Sequence, residues 1–151
     1  MDKGLVLISG SVVYRSAPGG KQWFVVRHEA NSNWELPKTS VRRGESSVRT
    51  TLRVMGERAG MKVKVLDEIG RLNQSIATNG KAVQQRLIYY LCVQKGMEGE
   101  AIGFPDSTWL TYEKAVRKLN SKKDQEMLRN ARKIVKDREK ARAKRKKEKA
   151  Q

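Results

Sequence analysis

Apolar and polar positions alternate over Leu5–Arg15, "LVLISGSVVYR". The run is rich in β-branched residues with one glycine at a bend, and it predicts a strand. The turn "SAPGGK" follows, and Gln22–His28, "QWFVVRH", reads as the returning strand of a hairpin. Neither period runs through residues 29–45, "EANSNWELPKTSVRRGE", so that stretch is expected to be a loop. Over Ser46–Gly60 the apolar residues Val48, Leu52 and Met55 are spaced four and three apart, which predicts a helix with one apolar stripe. Ser46 or Ser47 is placed to cap it and Gly60 to end it. Thr50, Thr51 and Gly56 give this helix poor intrinsic propensity.

Lys62–Ile76 and Ala82–Gln94 read as two strands joined at Asn79-Gly80, a strong hairpin signal. "STWLTY" (Ser107–Tyr112) is expected to be a short edge strand and "YEKAVRKL" (Tyr112–Leu119) a helix. A second helix spans Ser121–Asp137, where Met127, Leu128, Ala131, Ile134 and Val135 share a face. Beyond it, "REKARAKRKKEKAQ" has no large apolar residue and nothing to bury. The pattern is an α/β domain over 1–135, with a mixed sheet between helices, followed by a basic extension over 136–151, helical or disordered.

Charge changes this picture most. The 151 residues suit one domain, yet they carry a formal net charge of +17, which points to an anionic partner. Residues 1–120 hold 19 Lys/Arg against 11 Asp/Glu, and residues 121–151 hold 14 against 5, so about half the excess lies in the last fifth of the chain. Cys92 is the single cysteine, set in the apolar run "LIYYLCV"; it reads as buried packing, and its solitude favours a reducing, cytoplasmic setting. The opening residues read as a strand, not a targeting signal, and no apolar run is long enough to span a bilayer.

A glycine-bearing loop that runs into an acidic helix can hold divalent metals against a diphosphate, because a helix presents residues three and four apart on one face. Laid on such a pattern, "LPKTSVRRGESSVRTTLRVMGERAGM" resembles the box of the Nudix hydrolases, which reads G, five residues, E, seven residues, then R-E-U-x-E-E-x-G-U with U aliphatic. The lead-in Leu36-Pro37-Lys38 and the pair Gly44-Glu45 match, and Arg53, Glu57, Gly60 and Met61 match in register without a gap. The resemblance extends over about residues 4 to 135 to the branch that cleaves dinucleoside polyphosphates, with "SGSVVYR" and "RLIYYLCV" like its core strands. It implies a Nudix-type α/β/α sandwich with a mixed sheet, and a site where Mg²⁺ or Mn²⁺ binds if the protein is active.

The departures fall on the chemistry. Thr39 stands for the opening glycine, Val54 for the glutamate of R-E, and Arg58 for the second glutamate of E-E. No acid sits at the spacing expected ahead of the "WL" strand; Glu100 and Asp106 are nearest. The resemblance thus leaves Glu57 and Glu45 as metal ligands, with Arg53 completing the catalytic set, which is thin for a cation that wants six ligands. Arg58 is expected to bring a positive charge to the cavity, and Arg27, Lys38, Arg42, Arg43, Arg58 and Trp34 are the candidate phosphate- and base-binding residues. His28, the single histidine, flanks the same loop. Arg142, Lys144, Arg145, Lys146, Lys147 and Lys149 in the tail are candidate nucleic-acid contacts, with RNA favoured and no membrane role expected. The expected function is a catalytically weak or inactive nucleotide- and RNA-binding module. The alternative is an active Mg²⁺-dependent pyrophosphohydrolase acting on dinucleoside polyphosphates or other nucleoside-diphosphate-linked substrates.

Overall fold

The computed structural model describes residues 5–100 and 102–150. Six strands and three helices follow the order β1 (Leu5–Ala17), β2 (Gly20–Arg27), β3 (Lys38–Ser40), α1 (Ser47–Ala59), β4 (Met61–Thr78), β5 (Lys81–Met97), β6 (Asp106–Leu110), α2 (Tyr112–Lys118) and α3 (Lys122–Lys149). The sheet runs β4-β5-β1-β2-β6, with β3 paired to β1 off that path. β1 and β5 are parallel and the other pairs antiparallel, so the sheet is mixed.

The two-residue period of the strands sorts the core onto two faces. Val12, Trp23, Val25, Leu87, Tyr89 and Leu91 pack with Ala115 and Leu119 and with Met127, Leu128, Ala131 and Val135 of α3. Their sequence neighbours Val13, Phe24, Val26, Ile88, Tyr90 and Cys92 point the other way, onto Val54, Met55 and Ala59 of α1. The result is an α/β/α sandwich with α1 alone on one side.

Three expectations need correction. The stretch 29–45 is not wholly loop: Lys38–Ser40 pairs with Ile8–Gly10, and Glu35 bridges Val26. Strand pairing here is too short to leave a period. The strands β4 and β5 overrun their expected bounds by one to three residues, because the ladder continues out to the Asn79-Gly80 turn and, at its other end, to Met61 and Met97. Most consequential, Val48 and Leu52 are exposed, at 37% and 42%, while Thr50, Thr51, Val54, Met55 and Ala59 form the buried face of α1.

Candidate functional site

The inward turn of α1 follows from hydroxyl chemistry. Ser9 and Ser11 project from β1 toward the helix and are almost wholly buried. The Ser9 hydroxyl donates to the Ser47 carbonyl at 2.9 Å and lies 2.6 Å from the Thr51 hydroxyl, and Ser11 donates to the same Thr51 oxygen. The Ser47 hydroxyl meets the Tyr90 hydroxyl of β5. Buried hydroxyls are stable only when paired, and each of these has its partner on the facing element. Apolar spacing does not mark this face; the signal for it is the coincidence of Ser9 and Ser11 in a strand with Ser47 and Thr51 in a helix.

The loop enters the helix through Gly44, at φ 80°, a left-handed conformation that suits glycine. Ser46 caps α1 by accepting from the Arg49 N–H. Glu45 is clamped: Arg53 Nε donates to Oε2 at 2.9 Å, Arg53 Nη2 to Oε1 at 3.1 Å, and the Thr50 hydroxyl also donates to Oε1. The Arg53 hydrogen bonds, followed by that from Thr50, hold the Glu45 pKa down to about 2. Arg53 reaches Glu57 as well, at 3.5 Å, although the Glu57 side chain is 59% exposed. So the loop, Arg53 and Glu57 form one string of alternating charge along the outer side of α1.

Val54 lies in the core behind that string, 2% exposed. Arg58 does not enter a cavity beside Glu57. Its Nε donates to the Gly103 carbonyl at 3.1 Å, its guanidinium lies 4.1 Å over the Phe104 ring, and its own carbonyl accepts from the Gly103 N–H. Arg58 therefore fastens the β5–β6 connection to the end of α1. Gly60 ends the helix in the left-handed region, and a Cβ there would sit 2.6 Å from the Gly99 carbonyl carbon, so only glycine lets that connection approach.

Lys38 is paired within the protein. Its ammonium lies 2.7 Å from Asp124 Oδ2 and 3.4 Å from Glu35. Asp124, fully buried at the start of α3, also accepts from the Leu36 N–H and the Tyr89 hydroxyl. Burial first, then the Asp124 charge, raise the Tyr89 pKa, so that phenol remains a donor. The Lys38 N–H donates to His28 Nε2 at 3.2 Å, and burial lowers the His28 pKa below its usual value, which suits a neutral, accepting ring. Arg27 pairs with Asp106 at 3.2 Å and lies over Trp34, and Lys118 also lies over that ring. Two cations of the chain itself thus occupy the indole. Arg42 and Arg43 are exposed on the loop beside Glu45. Of the sequence-derived set, Glu45, Arg53, Glu57, Arg42 and Arg43 come together on the loop and α1; Lys38, Arg27 and Trp34 fall into neighbouring networks, and Arg58 faces another loop.

The tail residues Arg142, Lys144, Arg145, Lys146, Lys147 and Lys149 lie on exposed turns of α3, which continues unbroken to Lys149. No described helix is long and apolar enough to cross a membrane.

Among the described residues no three His, Cys, Asp or Glu side chains gather as a metal would need. The loop–helix donors do not fit a divalent cation well: Glu45 already has Arg53 and Thr50 on its oxygens, and Glu57 is one carboxylate beside a guanidinium.

The fold is that of the Nudix hydrolases. An Ap4A hydrolase of C. elegans superposes with a TM-score of 0.69 at 18% identity, covering 86% of this chain and 97% of that one. The NUDIX domain of NrtR from Shewanella oneidensis, solved with ADP ribose, superposes with a TM-score of 0.71 at 14% identity, covering 88% and 90%. In sequence, 58 residues are 33% identical to a Mycobacterium tuberculosis protein bearing the mutator name MutT4; they make up 38% of this chain and span only 23% of that relative's length. No family model matches the chain.

Proposed function

We propose that this protein is a phosphate- and RNA-binding module on a Nudix fold, with pyrophosphohydrolase activity weak or lost, and that its basic extension over 136–151 holds it to RNA or a ribonucleoprotein. The observation that carries the reading is the state of the box carboxylates. Arg53 engages both Glu45 and Glu57, and at the next position the side chain is Val54, sealed in the core. Three of the roughly four acceptor positions of Glu45 are taken, two by Arg53 and one by Thr50, so a metal meets one remaining lone pair on Oε2 beside a guanidinium that repels it.

The same loop leaves Arg42 and Arg43 exposed beside the helix, where they are available to phosphate oxygens without a metal. The tail's charge supports a sequence-tolerant, salt-sensitive attachment through counterion release. RNA in the cytoplasm is the partner this reading favours.

One observation favours the second reading, an active hydrolase of dinucleoside polyphosphates or related nucleoside-diphosphate-linked compounds: the Glu57 carboxylate is mostly exposed and held at 3.5 Å only, so it is free to turn toward a substrate-borne Mg²⁺. Diadenosine tetraphosphate and a 5′-triphosphate RNA, each with Mg²⁺ or Mn²⁺, decide between them. We expect no turnover above a Glu57→Gln control. Turnover at an ordinary enzyme rate that Glu57→Gln abolishes establishes the hydrolase instead.

A further inference from the structure

A second concentration of charge lies away from the box, on the α3 side of the sheet. Lys64 of β4, Val93 of β5, Tyr14 of β1 and Trp23 of β2 are register partners across four adjacent strands. Register partners project to the same side, so Lys64 and Tyr14 share a face. Lys95, the unpaired residue of a bulge in the β4–β5 ladder, also lines the cavity. Helix α3 crosses above it and brings Arg138, Glu139 and Arg142 to the rim of a cavity of about 460 Å³.

The charges in this cavity are unbalanced. Glu139 is the one acid among its lining residues, and it is held by Lys21 at 2.7 Å. Among the described residues, none of Lys64, Lys95, Arg138 and Arg142 lies within ion-pair distance of a carboxylate. The Tyr14 hydroxyl has no hydrogen-bond partner there either, and burial raises its pKa, so it keeps its proton to donate. Two ammonium groups from the sheet, two guanidinium groups from the helix and one phenol thus surround a space to which the described residues supply no free anion. A single carboxylate would leave most of these donors unused. A short chain of phosphoryl groups presents several oxygens and several negative charges over the needed span, and it suits both the point charge of lysine and the fork of arginine.

We propose that this cavity binds an oligophosphate, a run of two or three linked phosphoryl groups, carried by a free nucleotide or by an RNA 5′ end. It is a site separate from the loop and α1, and it extends the phosphate-binding reading above while depending on neither the box nor the outer tail. Arg138 and Arg142 lie in the first turns of the basic extension, so an RNA end seated here has its following backbone beside the exposed turns beyond residue 142.

The test is calorimetric titration of the full-length protein with inorganic tripolyphosphate, and parallel titration with one RNA bearing either a 5′-triphosphate or a 5′-hydroxyl. Lys64 and Lys95 are exposed, so Lys64→Ala/Lys95→Ala leaves the fold intact, which circular dichroism checks. We expect this variant to weaken tripolyphosphate by about tenfold or more, the value of one charge-assisted contact. Tyr14→Phe weakens it by a smaller factor that persists in raised salt. Lys144→Ala/Lys146→Ala/Lys147→Ala, in the outer tail, leaves tripolyphosphate binding in place. Tighter binding of the 5′-triphosphate RNA, lost in the Lys64/Lys95 variant, assigns the phosphates to an RNA end. Equal affinity for the two RNAs, with tripolyphosphate still dependent on Lys64 and Lys95, assigns them to a free nucleotide. Absence of tripolyphosphate binding, or equal weakening by the pocket and tail variants, overturns the proposal. RNA binding that survives in that case leaves the tail reading standing, so the two failures are distinct.

Discussion

Removing the Asp124 carboxylate should loosen the entry to the box as well as the fold. Three donors converge on it from different elements: the Leu36 N–H at 3.1 Å, Lys38 Nζ at 2.7 Å and the Tyr89 hydroxyl at 3.0 Å. Lys38 is 18% exposed and Asp124 is 1% exposed by side chain, so solvent screens the pair little. At 2.7 Å and an effective dielectric of about 20, their attraction is roughly 6 kcal/mol before the cost of burying both charges is counted. That cost offsets most of the gain, so the pair adds little net stability. Breaking it is another matter, because Asp124→Ala leaves a backbone N–H and a phenol without their acceptor and the mostly buried ammonium with only its longer contacts, 3.4 Å to Glu35 and to the Leu36 carbonyl. The expected loss is about 3–5 kcal/mol, read as a shift of the urea midpoint at unchanged slope. Asp124→Asn keeps an acceptor oxygen for Leu36 or Tyr89 and should lose less. Lys38→Met combined with Asp124→Asn should recover part of what either loses alone, since no unpaired charge then remains. Hydrogen exchange at Leu36 should quicken in both Asp124 variants. A loss under about 1 kcal/mol for Asp124→Ala, or strictly additive losses in the cycle, refutes the claim that these elements are tied through one carboxylate.

Two further outcomes follow from charge. Because the Glu45 pKa falls from 4.5 to about 2, folding favours its ionised form; the clamp contributes fully above pH 4.5 and is lost as pH falls through 2, and Glu45→Gln should remove that window from a pH-jump measurement of exchange at residues 42–45. A clamp region equally protected at pH 2 and pH 5 contradicts this. Residues 136–151 carry nine Lys/Arg and three Asp/Glu, so log K for single-stranded RNA should fall against log salt with a slope of about −4, and Lys144→Ala/Lys146→Ala/Lys147→Ala should make it shallower by roughly 2. A slope unchanged in that variant removes the tail from the interface.

What the sequence disclosed depended on the range of the interaction. The strands with apolar alternation were legible because a two-sided sheet writes its burial into every second residue, as Val12 and Val13 do in pointing to opposite cores. The box was legible through its spacing. The orientation of α1 was not, because its inward face is fixed by hydroxyl partners on β1, some forty residues earlier, and no local window contains both. The partner of Lys38 was hidden for the same reason: the residue sits beside the loop, while the acid that engages it, Asp124, is 86 residues away. Arg58 is a third case, since Gly103 and Phe104 lie in a connection with no periodicity.

The distribution of matches within the box has a physical explanation that needs no metal. Gly44 supplies a left-handed turn, Glu45 and Arg53 close the loop onto the helix, Gly60 admits the Gly99 backbone, and Met61 is buried core. Each residue that agrees with the Nudix pattern in this stretch thus has a structural task visible in its contacts, Glu57 included, through its pairing with Arg53. The positions that disagree, Thr39, Val54 and Arg58, have structural tasks too, but different ones: a place in the β3–β1 ladder, a place in the core and an anchor for the β5–β6 connection. A carboxylate at position 54 would be buried among Val13, Phe24 and Met55, where ionisation is strongly disfavoured without a cation or donor to meet it. Restoring one glutamate would therefore not restore a ligand set. The matching positions follow what this segment's contacts do in the fold: Glu45 and Arg53 close the loop onto the helix, and Gly60 stops the helix.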